Sequence, residues 1–108
     1  MALMVNSDDD GIMMDGPREL GLAALENGAM NGRNGKGNIF VWGSGNGFKK
    51  DDNCGADGYA NSMYTIPFSA ANFNGQRSGY SESCSAVMST IYSSGEERLP
   101  KISTIGTV

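Results

Sequence analysis

The spacing of apolar and polar positions changes several times along the chain. Leu20, Ala23 and Ala24 recur at i, i+3 and i+4, and Leu22, Leu25, Ala29 and Met30 widen the stripe. That spacing predicts one amphipathic helix, opened by Asp15-Gly16-Pro17-Arg18-Glu19 and stopped by Asn31-Gly32 and Asn34-Gly35. Pro17 suits a first helical position, where a missing N–H costs nothing, and Glu19 complements the positive end of the helix dipole. Ile39-Phe40-Val41-Trp42 is a short unbroken apolar run followed by glycine, which predicts a strand buried on both faces. Met63-Tyr64-Thr65-Ile66 predicts a second strand, which Pro67 should end or place at an edge. Asn74-Gly75 marks a turn. Ala86 to Tyr92 and Ile102 to Ile105 predict a third and a fourth strand, with Ser93-Ser94-Gly95 and Pro100 between them.

A helix followed by a buried strand is the grammar of a parallel α/β sheet. Such a sheet needs helices on both faces, and the pattern supplies one. The expectation is therefore an α/β core present only in part, a single unit over residues 1–108 without repeats or linkers.

Composition narrows the chemistry. Of 108 residues, 16 are glycine and 39% are hydrophobic, which is enough apolar material to fold. The net charge of −4 comes without a basic stripe, since Asp51-Asp52 follows Lys49-Lys50 directly, so a nucleic-acid partner is not expected. There is no histidine, which excludes a Ser-His-Asp or Cys-His system built from this chain alone, and any His-containing zinc site. Cys54 and Cys84 could form one disulfide or remain two thiols. No apolar run approaches the ~18 residues that a membrane helix needs, so no membrane contact is expected from this segment. Met1 to Val5 is too short for a signal peptide, and a secreted protein would need sequence upstream of Met1.

Three groups of residues could carry chemistry. Gly43-Ser44-Gly45-Asn46-Gly47 follows the first strand and could be a flexible loop or a phosphate cradle, although no helix start follows directly. Asn46 in that loop could instead donate N–H groups to a developing oxyanion. Asp8-Asp9-Asp10 with Asp15, and Asp51-Asp52 with Asp57, are clustered carboxylates. Such clusters are either solvated surface or attractors of cations.

Ile39 to Gly47 resembles the segment holding the oxyanion-hole asparagine of kexin/furin-type proprotein convertases, which are subtilisin-type serine endoproteases of peptidase family S8. Further motifs match in order: Ser7-Asp8-Asp9-Asp10-Gly11, Asp15 to Leu20, Asn31 to Gly37, Asp52-Asn53-Cys54, Asp57 to Ser62 and Tyr80 to Met88. The resemblance spans roughly residues 7 to 95 and leaves 1–6 and 96–108 unaligned. It implies a subtilisin-like three-layer fold with a mainly parallel sheet, present only in part. It implies that Asn46 stabilises the oxyanion. Asp9 and Asp57 would face the P1 basic side chain, and Asp15 with Tyr59 would form the pocket for a basic residue at P4. It further implies calcium (Ca2+) held by Asp9, Asp52 and Glu82, and a disulfide between Cys54 and Cys84. The partners would be basic peptides or proproteins, cut after paired basic residues by a parent enzyme of the secretory pathway, in the Golgi or anchored to a membrane.

The chain also departs from the family pattern. Phe48 stands where a second glycine usually follows the asparagine, Ala56 where many members have another cysteine, and Met4 to Ser7 where a Ser-Trp-Gly-Pro stretch is usual. Pro67 falls in a strand that usually has none. The family's catalytic Asp and His lie upstream of this region and its nucleophilic Ser downstream, so the chain alone is expected to be inactive. Two other readings remain: a short non-catalytic protein keeping a calcium or basic-peptide site, and a small nucleotide-binding domain.

Overall fold

The computed structural model describes residues 15–93. A helix, α1 (Glu19–Gly35), leads to strand β1 (Phe40–Gly43), a one-turn 3-10 helix (Gly47–Lys50), then strands β2 (Thr65–Ala71) and β3 (Ser89–Tyr92). The three strands form one sheet in the order β1-β2-β3. Both neighbouring pairs are parallel, with Phe40 opposite Thr65 and Phe68 opposite Ser89. The expectation of an α/β unit with a parallel sheet holds. The fourth strand expected at Ile102 to Ile105 lies outside the described residues.

The helix begins two residues later than Pro17 suggested. Arg18 is the N-cap, without a side-chain capping bond, and Leu22 N–H donates to the Arg18 carbonyl at 2.9 Å to open the ladder. Continuous helical backbone ends at Asn31, because Gly32, Arg33 and Asn34 leave helical φ/ψ. The two Asn-Gly pairs therefore stop the helix where they stand in the sequence.

The face that α1 turns inward is a correction. Leu20 is 87% exposed and Met30 67%, and Ala23 and Ala24 are exposed as well. Gly21, Leu25, Gly28, Ala29 and Gly32 are the covered positions, and they recur at helical spacing. A Cβ on Gly28 would stand 2.5 Å from the Phe40 ring. Gly28 leaves room for the tip of the Phe40 ring, and Asn38 N–H donates to the Gly28 carbonyl at 2.8 Å, so the segment leading into β1 lies against this stripe.

Pro67 is a second correction. It sits in the central strand of the sheet, opposite Trp42. Its carbonyl accepts from Met88 N–H at 3.1 Å, so its N–H-less nitrogen faces the same side, one residue before the β3 register opens at Phe68–Ser89. The missing donor falls where no ladder bond is required.

The strand expected from Ala86 starts only at Ser89, and none of the strands is buried on both faces. Ile39 is 56% exposed, β1 is half-buried and all four residues of β3 are exposed. One helix cannot cover two faces of a sheet. The buried residues among those described include the apolar Leu25, Cys54, Ala60, Pro67 and Ala71, with Gly47. The polar residues Ser44, Thr65, Asn72, Ser78, Ser81 and Glu82 are buried with them.

Candidate functional site

The site is assembled at the carboxyl end of β1, where open parallel sheets ordinarily receive ligands. Ser44 N–H donates to the Phe68 carbonyl at 2.9 Å, extending the β1–β2 ladder by one bond before the chain turns away. Asn46 comes next, exposed, at the head of the 3-10 helix.

A second segment is folded back onto this loop. After β2, the Asn72 side-chain oxygen accepts from Asn74 N–H at 2.9 Å and Gln76 N–H at 3.1 Å, which closes the turn predicted at Asn74-Gly75. Ser78 N–H then returns to the Ala70 carbonyl at 2.9 Å. The reversal sets residues 77–84 beside residues 44–48. The Ser44 and Ser81 hydroxyls meet at 3.0 Å, and Ser81 Oγ also accepts from Ala70 N–H at 3.0 Å. Glu82 N–H donates to the Gly45 carbonyl at 3.4 Å, and Gly47 N–H donates to Glu82 Oε1 at 2.8 Å. Phe48 N–H donates to the Tyr80 carbonyl at 3.3 Å. The Arg77 guanidinium lies 3.4 Å above the Phe48 ring, and its Nη1 donates to Ser83 Oγ at 2.8 Å.

The acidic residues fall into two groups. Asp52 and Glu82 both meet Gly47: Asp52 N–H donates to the Gly47 carbonyl at 3.3 Å, and the Glu82 carboxylate takes the Gly47 N–H. Glu82 is 2% exposed, whereas Asp52 is half-buried and accepts from Asn53 N–H at 2.7 Å. The Cys54–Cys84 disulfide joins the two stretches, with a Cα–Cα distance of 5.4 Å. Asp15, Asp57 and Tyr59 form the other group. Gly58 N–H donates to the Asp15 carbonyl at 2.8 Å, and the Gly16 and Gly58 backbones are close enough that a Cβ on either would crowd the other. Asp57 Oδ1 accepts from Tyr59 N–H at 2.8 Å, and Asp15 Oδ1 from Gly16 N–H at 2.8 Å. The Tyr59 ring stacks on Trp42 of β1, with centroids 4.6 Å apart and planes 7° from parallel. Asp57 N–H reaches the Cys54 carbonyl at 3.3 Å, so a single turn links the two groups.

Asp9 lies outside the described residues. Among those described, no three His, Cys, Asp or Glu side chains are grouped to hold a metal ion. The donors at Asp52 and Glu82 are hard oxygens, the type that calcium takes, and a calcium site on them needs further oxygens from elsewhere. Sequence reading missed Ser44 with Ser81, the Trp42–Tyr59 stack and Arg77 over Phe48. Serine and arginine carry no periodic signal, and Trp42 read only as strand.

No family model matches the chain. Among curated proteins, endoprotease bli-4 of Caenorhabditis elegans is 48% identical over 98 residues, 91% of this chain and 10% of the relative. Proprotein convertase subtilisin/kexin type 5 of Homo sapiens is 50% identical over 97 residues, 90% of this chain and 5% of the relative. Furin-like protease 1, isoform 1-CRR, of Drosophila melanogaster is 51% identical over 88 residues, 82% of this chain and 8% of the relative. The relatives that share about half of this chain's residues are thus named as endoproteases, furin-like proteases and proprotein convertases. The chain belongs to the kexin/furin-like proprotein convertases. It spans a tenth or less of the length of these three relatives. Among the described residues, no helix is long and apolar enough to cross a membrane.

Proposed function

We propose that the chain is part of a calcium-dependent serine endopeptidase of subtilisin-like three-layer fold that processes proproteins after paired basic residues in the secretory pathway. The observation that carries this reading is the position of Asn46: exposed, at the carboxyl end of a parallel strand, on a loop fixed on both sides by hydrogen bonds. There a carboxamide can donate to an oxygen that gains negative charge as a peptide carbonyl is attacked. A donor already in place costs no reorganisation at that moment.

Asp57, with Asp9, would receive the P1 basic side chain. Asp15 and Tyr59 would receive a basic residue further along the substrate. Paired carboxylates favour arginine, whose guanidinium can bond them in bidentate fashion. The Trp42–Tyr59 stack gives the second pocket a rigid wall, and the Asp15–Gly58 bond holds its carboxylate-bearing stretches together. Asp9, Asp52 and Glu82 would hold calcium, whose charge offsets the repulsion between converging carboxylates. The nucleophile, base and orienting acid would come from outside this chain, so the chain alone would not cleave.

The test is a chimera in which this chain replaces the stretch it matches in the Caenorhabditis elegans endoprotease. Asn46→Ala should lower kcat on an Arg-Arg peptide by about 10²–10³-fold, the usual effect of removing one oxyanion donor. An unchanged kcat would refute the role of Asn46.

A further inference from the structure

We propose that Glu82 is a positioning residue for Asn46, acting through the Gly47 peptide. This rests on the reading of Asn46 as the oxyanion donor and adds a residue that sets its geometry. Three observations carry it. Glu82 is almost wholly buried, at 2% exposure. Its Oε1 accepts the Gly47 N–H at 2.8 Å, and its own N–H donates to the Gly45 carbonyl at 3.4 Å. One residue therefore holds the peptides on both sides of Asn46. The loop has further braces on the same segment, Ser44 with Ser81 and Phe48 N–H with Tyr80, but those hold residues further from Asn46. A charged acceptor makes the stronger kind of hydrogen bond. Inside a poorly solvated site, that bond resists the rotation of the 46–47 peptide that would swing the Asn46 carboxamide away. Misplacement of a catalytic group by about 1 Å can cost roughly 10²-fold in rate, so a backbone clamp one residue away has a direct kinetic consequence.

This role differs from calcium binding in what it asks of the side chain. A clamp needs an acceptor of the right length, whereas calcium affinity depends strongly on the charge of its ligands, a neutral amide oxygen binding more weakly than a carboxylate. Glu82→Gln keeps an acceptor and loses the charge, and Glu82→Met keeps the length and loses both. In the chimera at saturating calcium, Glu82→Met should lower kcat by about tenfold or more with KM nearly unchanged. Glu82→Gln should recover most of that loss even where the calcium requirement has risen. Glu82→Met should also add little in an Asn46→Ala background, because the two act on one donor. Equal damage from Gln and Met would overturn the clamp and leave a purely ionic role. So would an undiminished kcat in Glu82→Met while Asn46→Ala is impaired. If Asn46→Ala is itself harmless, the oxyanion reading fails, and the clamp is then judged on the 108-residue chain alone. There, amide hydrogen exchange at Gly47 should be slow compared with the amides of the exposed residues Phe73 and Ser85. A Gly47 amide exchanging as fast as those would overturn the clamp without any substitution, and it also decides the matter should the Met variant fail to fold.

Discussion

Gly16 and Gly58 show how single residues set the spacing of the acidic site. An ideal Cβ on Gly58 would stand 2.9 Å from the Gly16 Cα and 3.4 Å from the Asp15 carbonyl oxygen, and both of these are backbone atoms. Backbone cannot rotate aside as a side chain can. Gly58→Ala should therefore push the Asp15 stretch away from the Asp57–Tyr59 turn and cost about 1–3 kcal/mol, the usual range for overpacking. Urea titration of the chain followed by Trp42 fluorescence measures it, since Trp42 stacks on Tyr59 next to that contact. A midpoint equal to that of the parent chain would mean that the two backbones are not held together. Phe48 is the opposite case, a large side chain where the family resemblance implies glycine. Arg77 covers its ring, so the added bulk is packed against its own structure.

Between elements, the decisive link is covalent. The stretch bearing Asp52 and Asp57 and the stretch bearing Glu82 have no strand or helix of their own, and hydrogen bonds to carbonyls make up most of their support. The Cys54–Cys84 bond closes a loop with a sequence separation of 30. On the chain-entropy model such a closure contributes roughly 3–4 kcal/mol. Cys54→Ser with Cys84→Ser should lower stability by about that amount in urea titration of the chain. It should also raise amide exchange at Gly47, since Cys84 lies two residues from Glu82. Loss of stability without faster exchange at Gly47 would separate the disulfide from the asparagine loop.

At the scale of the whole molecule, the apolar surface is out of balance. Leu20, Met63, Met88, Ile91 and Tyr92 are all more than half exposed, and the sheet has one helix against it. A parallel sheet is ordinarily covered on both faces, and the larger layers implied by the family would supply that cover. The purified 108-residue chain should therefore bind a hydrophobic dye such as ANS and should not cleave an Arg-Arg peptide. Dye exclusion together with stabilisation by calcium would instead favour a self-sufficient binding module. Cleavage would overturn the assignment of the catalytic groups to sequence outside the chain.

Local chemistry located α1 and parts of β1, β2 and β3 in their order. Asn31-Gly32 ends a helix because glycine and asparagine leave helical backbone readily, and Phe40-Val41-Trp42 forms a strand because branched and aromatic side chains suit a pleated surface. The order of short motifs likewise pointed to the family, and the two cysteines to a possible bond. Tertiary structure decided what depends on partners distant in sequence. It turned Gly21, Leu25, Gly28, Ala29 and Gly32 of α1 inward and left Leu20 exposed, because the Phe40 ring lies against Gly28. It admitted Pro67 to the central strand, because the side lacking a donor meets the start of β3 before its ladder begins. It brought the Glu82 carboxylate to the Gly47 amide across 35 residues, a pairing that no local pattern encodes.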